Sequence, residues 1–175
     1  MRGWKIIVVI ASVCACLTGC DSAMTYASNP SINNLPNEQR MRLARVEASG
    51  IQIIKEGARF TFEIPTDCFF VKSTRELKDH RDVDIDTLAY FVRDYLQVFS
   101  DATVSITGYT DTSWISPTRD RLSLQYAKTI ATLFLEDGVD GRKIVARGKG
   151  AGHPIASNHY PMGTSFNRRV EIIIQ

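Results

Sequence analysis

Between residues 103 and 148 the apolar spacing changes twice, and that change fixes more of the fold than any other feature. "TVSITGY" (103–109) alternates, with Val104 and Ile106 on one side, which is the period of a half-buried strand. From about 117 to 137 the spacing becomes three and four. Leu122, Tyr126, Ile130 and Leu133 then share a helical face, with Ala127 and Phe134 beside it. Ser116 and Pro117 suit the cap and first turn of that helix, and Gly138 suits its stop. "KIVARG" returns to strand. A strand, a helix and a strand in succession imply parallel neighbours joined by a right-handed crossover.

The flanking segments extend the sheet. "IQIIKEGARFTFEI" reads as a hairpin: Ile51 and Ile53 lead to the Lys55-Glu56-Gly57 turn, and Phe60, Phe62 and Ile64 alternate with Thr61 and Glu63 up to Pro65. Ile85, Leu88, Val92, Leu96 and Phe99 mark a helix over 82–99. "RVEIII" is a last strand, whose apolar run predicts burial on both faces, and a loop joins it to the third strand. The expected class is α+β, a small mixed β-sheet with helices packed on one face.

The N-terminus stands apart. Arg2 and Lys5 precede an apolar run, 6–17, that is shorter than the roughly 20 residues a membrane span needs. The run ends in "LTGC", which resembles the lipobox of bacterial lipoproteins. That resemblance implies cleavage before Cys20 and acyl chains on Cys20, enough for stable membrane anchoring. The expected organisation is a signal peptide over 1–19, a lipidated flexible tether over 20–50 with a helical turn over 37–46, and one folded domain over 51–175. Loss of Arg2 and Lys5 leaves 19 of 21 basic side chains against 19 acidic ones, so charge offers no case for nucleic acid. With Cys14 and Cys16 removed and Cys20 lipidated, Cys68 has no intramolecular partner and reads as a small buried hydrophobe.

"ITGYTD", "LS" beginning eleven residues after that Asp, "DG", "ARGKGAGHPIASN" and "NRRVEI" stand in the order and spacing of the OmpA-like C-terminal domain, a periplasmic peptidoglycan-associated module. The likeness is strongest over 104–172. It implies non-enzymatic binding of the diaminopimelate of peptidoglycan stem peptides, with no cofactor. In that family the Asp of G-x-T-D takes the ligand's ammonium. An Arg in a pattern like "LSxxRA" on the next helix holds its carboxylate, and the helix start adds N–H donors.

Transferred here, the acid is Asp111, beside Thr110. "LSLQYAK" puts Tyr126 where the Arg belongs, and a phenol has neither the charge nor the fork of a guanidinium. The acid of the family's first-strand motif is also absent, Phe69, Phe70 and Val71 occupying that region. Arg119 and Arg121 are the candidates to supply the missing charge. Arg168 and Arg169 alternate on a strand, so only one can face the site, and Asn167 fits a turn-stabilising role. In the alternative reading the pocket is degenerate and the domain is a structural subunit of an envelope machine. "FEIPTDCFFVKSTREL", "GHPIASN" and "NRRVEI" are similar to the OmpA-like lipoproteins of type IVB (Dot/Icm-type) secretion systems.

Plainer roles compete for the same residues. Asp111 can close an Asx-turn, Tyr126 can simply pack, and Trp114 can be a loop aromatic or a partner anchor. "GKGAGH" lacks the spacing of a phosphate loop. His80, His153 and His159 lack metal-ligand spacing. Ser123, His153 and Asp111 make a triad by residue type alone. The expected partners are peptidoglycan, a membrane through the lipid at Cys20, and other envelope or secretion-system proteins. The outer membrane is the preferred site, although Asp21 resembles an inner-membrane retention signal.

Overall fold

The computed structural model describes residues 35–113 and 117–175. The signal peptide, Cys20, Trp114 and Ser116 therefore lie outside the described residues. In chain order the elements are α1 (Asn37–Ala48), β1 (Gln52–Glu56), β2 (Arg59–Pro65), α2 (Thr66–Phe69), α3 (Arg81–Val98), β3 (Val104–Gly108), α4 (Pro117–Glu136), β4 (Ile144–Gly148), α5 (Pro161–Asn167) and β5 (Arg169–Ile174). The strands lie in the order β1-β2-β5-β3-β4. β3 and β4 are parallel across the α4 crossover, and the other pairings are antiparallel.

Register explains the core. Phe62 pairs with Ile172 and Ile172 with Ile106, while Phe60, Ile174 and Val104 form the next row. Partners across a ladder point to the same face, so these rows make one apolar surface, and α3 and α4 cover it. Phe91 of α3 meets Phe60 and Phe62 edge-on, at ring-centroid distances of 5.4 and 5.8 Å. Such pairs add about 0.5–1.5 kcal/mol beyond area burial. The opposite face carries Thr61, Glu63, Glu171, Ser105 and Val145, half-buried or exposed. Burial of β5 on both faces is thus only partly met: Val170, Ile172 and Ile174 are enclosed, while Ile173 on the open side is half-buried.

The expected tether over 20–50 needs correction. Residues 37–48 form a full helix whose Leu43 and Val46 are buried. Gln39 donates to Asp94 of α3 at 2.9 Å, and Arg42 pairs with the same carboxylate. The folded body therefore begins before Ile51. The loop before β5 also contains a helix, α5, with Pro161 at its start. It lacked an apolar stripe to announce it. α4 ends as expected, Gly138 adopting φ +85° while Val139 N–H returns to the Phe134 carbonyl at 2.9 Å. No helix among the described residues is long and apolar enough to cross a membrane.

Two glycines set where α4 lies. Gly108 and Gly148 are ladder partners at the carboxyl ends of β3 and β4. A Cβ at Gly108 would come within 1.9 Å of the Ser123 carbonyl oxygen, and one at Gly148 within 2.4 Å of the Leu124 nitrogen. Only glycine lets the first turns of α4 press onto the strand tips. Ser123 is buried at this contact. Its hydroxyl donates to the Asp120 carbonyl at 2.7 Å and accepts from Gly150 N–H at 3.0 Å.

Candidate functional site

Beyond Gly108 the chain leaves the sheet beside the start of α4. Thr110 N–H donates to the Gly150 carbonyl at 2.8 Å, which fixes the next residue. Asp111 is 4% exposed. One of its carboxylate oxygens accepts from Ser113 N–H at 2.9 Å, an Asx-turn, and also from the Ser113 hydroxyl. The other accepts from Nη1 of Arg168. Arg119 Nη1 donates to the Asp111 main-chain carbonyl at 3.1 Å.

Arg168 holds a second acid as well. Its Nε and Nη2 grip Asp67 of α2 at 2.8 and 2.5 Å. One guanidinium therefore serves two carboxylates, drawing α2, the Asp111 loop and the start of β5 together. Burial pushes the Asp111 carboxyl up, but the hydrogen bonds from Ser113 and Arg168 outweigh it, and the carboxyl is held below its ordinary range. Asp67, aided by Asp111, keeps Arg168 charged against its partial burial.

A cavity of about 640 Å³ opens beside this cluster. Thr110, Asp111, Arg119, Tyr126 and Arg168 all line it, together with Asp67, Phe70, Lys72 and Lys78. Tyr126 packs its ring 4.5 Å from Phe70. Burial, then the nearby Asp67 charge, pushes its phenol up, so it stays a neutral group. Lys72 and Lys78 come from the segment between α2 and α3. A Phe70–Leu77 bridge folds that segment back, and Thr129 of α4 pins it by donating to the Arg75 carbonyl at 3.1 Å.

Three expected residues lie elsewhere. Arg121 is exposed and outside the cavity lining, because it points from α4 to solvent. Arg169 occupies the alternate face of β5, its guanidinium 4.1 Å from the Tyr109 ring centre. Asn167 braces the preceding loop: its side chain accepts from Ile155 and Ala156 N–H and donates to the Ala156 carbonyl and to Asn158. Cys68 is exposed rather than buried. Ser123, the nucleophile of the triad drawn by residue type, is committed to Asp120 and Gly150. Asp67, Lys72 and Lys78 were not anticipated. "TDCFFVKSTRELK" carries no period that would have placed them, and a bend brings them to the cavity.

The comparisons agree with this architecture. The model of the OmpA family matches residues 69–168. The outer-membrane lipoprotein YfiB of Pseudomonas aeruginosa is 30% identical over 159 residues, covering 90% of this chain and 85% of YfiB. The peptidoglycan-binding protein ArfA of Mycobacterium tuberculosis is 43% identical over 83 residues, 47% of this chain, and the chain spans only 26% of ArfA's length. Among solved structures, the cell wall anchor of the type VI secretion system from Pseudomonas aeruginosa superposes with TM-score 0.64 at 24% identity, over 79% of this chain and 96% of that one, a likeness of fold. By its match to the family model over more than half of its length, the chain belongs to the OmpA family.

Proposed function

We propose that this protein is a non-enzymatic envelope lipoprotein that links a membrane to peptidoglycan. The domain holds the diaminopimelate end of a stem peptide, and acyl chains on Cys20 fasten the other end of the chain, in the outer membrane with the domain in the periplasm. The observation that carries this reading is the cavity at the carboxyl ends of β2 and β3, beside the start of β5, built on the G-x-T-D acid and flanked by acids and cations. The end of diaminopimelate carries an ammonium and a carboxylate together, and a wall of mixed charge suits it. The names of ArfA and YfiB, a peptidoglycan-binding protein and an outer-membrane lipoprotein, support the same assignment.

A sacculus pull-down tests it. The domain over 35–175 is expected to co-sediment with isolated peptidoglycan. Asp111→Ala is expected to lose that binding while keeping its circular dichroism, because Asp111 orders the Ser113 turn and holds Arg168 at the cavity wall. Cys20→Ser is expected to move the full chain from membranes to the soluble periplasmic fraction. A second reading, a structural subunit of an envelope-spanning secretion complex, draws on the engagement of Asp111 by its own neighbours. Wild-type protein that ignores sacculi would favour it.

A further inference from the structure

The charges around the cavity are unequal in number and in availability. Asp67 and Asp111 are its two acids, and Lys72, Lys78, Arg119 and Arg168 its four cations. Both acids are already occupied. Arg168 grips Asp67 through Nε and Nη2 and Asp111 through Nη1, and Ser113 takes the remaining Asp111 oxygen. A ligand ammonium would reach Asp111 only by displacing a guanidinium, exchanging one charge-assisted hydrogen bond for another.

The lysines are in the opposite condition. Lys78 Nζ rests on a neutral acceptor, the Asp67 main-chain carbonyl, at 2.6 Å. An ammonium has three donors, so Lys78 can keep that bond and still meet an anion. Lys72 is exposed and makes no ion pair among the described residues. A carboxylate that reaches either lysine at the cavity wall breaks no ion pair, whereas an ammonium must first displace Arg168 from Asp67 or Asp111.

We infer that this cavity selects its ligand by a carboxylate, held by Lys72 and Lys78 from the segment between α2 and α3, and needs no ammonium. The inference rests on the peptidoglycan reading and narrows it. The lysine segment takes over the role left vacant by Tyr126, and the Asp111–Arg168 pair becomes part of the wall. The shared chemistry is a free carboxylate on a stem peptide. Its source is either the diaminopimelate side chain or the peptide's C-terminus.

Calorimetric titration of the 35–175 domain with a synthetic stem tetrapeptide that contains diaminopimelate and has its glutamate α-carboxyl amidated, and with three derivatives of it, decides the matter. Acetylation of the diaminopimelate side-chain amine is expected to change Kd by less than about threefold. Amidation of one of the two carboxylates, on diaminopimelate or at the C-terminus, is expected to weaken binding by about tenfold or more, and the sensitive position names the source. The exposed double variant Lys72→Gln/Lys78→Gln is expected to lose about tenfold for the parent peptide and most of its salt dependence. Loss of binding on acetylation, or indifference to both amidations, overturns carboxylate selection and leaves the peptidoglycan reading standing. Failure of the parent peptide to bind at all removes both.

Discussion

Arg168→Gln perturbs the site most informatively, since it removes one cation from two acids of different exposure. Asp67 is 44% exposed at its side chain and Arg168 31%. Solvent screens that pair, and its loss costs about 0–1 kcal/mol. Asp111 is 6% exposed at its side chain. It would lose one charge-assisted hydrogen bond, about 1.5–3 kcal/mol, and keep those from Ser113. The expected total is about 1.5–4 kcal/mol at pH 7. The pH dependence is the sharper test. Burial raises the Asp111 carboxyl, but Ser113 and Arg168 together set it below its ordinary range. A depressed carboxyl adds stability that is complete above its unfolded pKa, about 3.9, and is lost as pH falls through the lower folded value. The variant lacks Arg168's share of that contribution, so its deficit should be full at pH 7 and should shrink below about pH 4. Urea unfolding at pH 7 and pH 2.5 measures both. An equal deficit at the two pH values, or one under about 0.5 kcal/mol at pH 7, would refute the view of Arg168 as the clamp on a buried charge.

Three further perturbations reach other parts of the molecule. Gly108→Ala puts a methyl into the Ser123 main chain, and α4 must move. A cost of at least about 1–3 kcal/mol in urea unfolding is expected, together with weaker sacculus binding as the cavity wall shifts. Truncation to 51–175 strips α1 from α3 and exposes what Leu43 and Val46 cover. Each such side chain is worth about 1.5–3 kcal/mol, so the shorter domain should unfold at a clearly lower urea concentration than 35–175. Burial, then the neighbouring Asp137 carboxylate, pushes the Asp86 carboxyl up to about 6. A raised carboxyl favours folding most below its unfolded pKa of about 3.9 and loses that contribution as pH rises through about 6. The melting temperature of wild type should therefore fall between pH 4 and pH 7 relative to Asp86→Asn, and parallel curves would count against it.

The sheet and its two main helices were legible because each depends on a local period. Phe60, Phe62 and Ile64, or Leu122, Tyr126 and Ile130, state their own geometry. Elements that depend on distant partners were not legible. α1 has few apolar residues and is secured by polar contacts from Gln39 and Arg42 to Asp94, some fifty residues away in the chain. α5 is short, and Gly163 lets it sit against the Ser157 carbonyl. The site divides in the same way. Asp111, Thr110 and Tyr126 were placed by motif and spacing. Asp67, Lys72 and Lys78 reach the cavity through a bend that no period encodes, and Arg119 could be separated from Arg121 only once the direction of α4 was fixed.

The cavity's position and its charge have separate origins in the chain. Position comes from the backbone: Gly108 and Gly148 admit α4 to the tips of β3 and β4, and the cleft lies between the early turns of α4 and the segments that follow β2 and β3. Charge comes from side chains on three different segments. With Tyr126 in place of a helix arginine, positive charge at the mouth passes to the segment between α2 and α3, which is tied to α4 by Thr129 and to α2 by Lys78. Placing cations on that segment changes what they can do. A helix holds a guanidinium in one direction, whereas two lysines on an exposed bend can follow a carboxylate that arrives on a flexible peptide. That freedom costs side-chain entropy on binding. On the peptidoglycan reading proposed above, the site should bind more weakly than a preformed fork would, with a steeper dependence on salt, and many such domains held against a polymeric wall would offset the weakness of each contact.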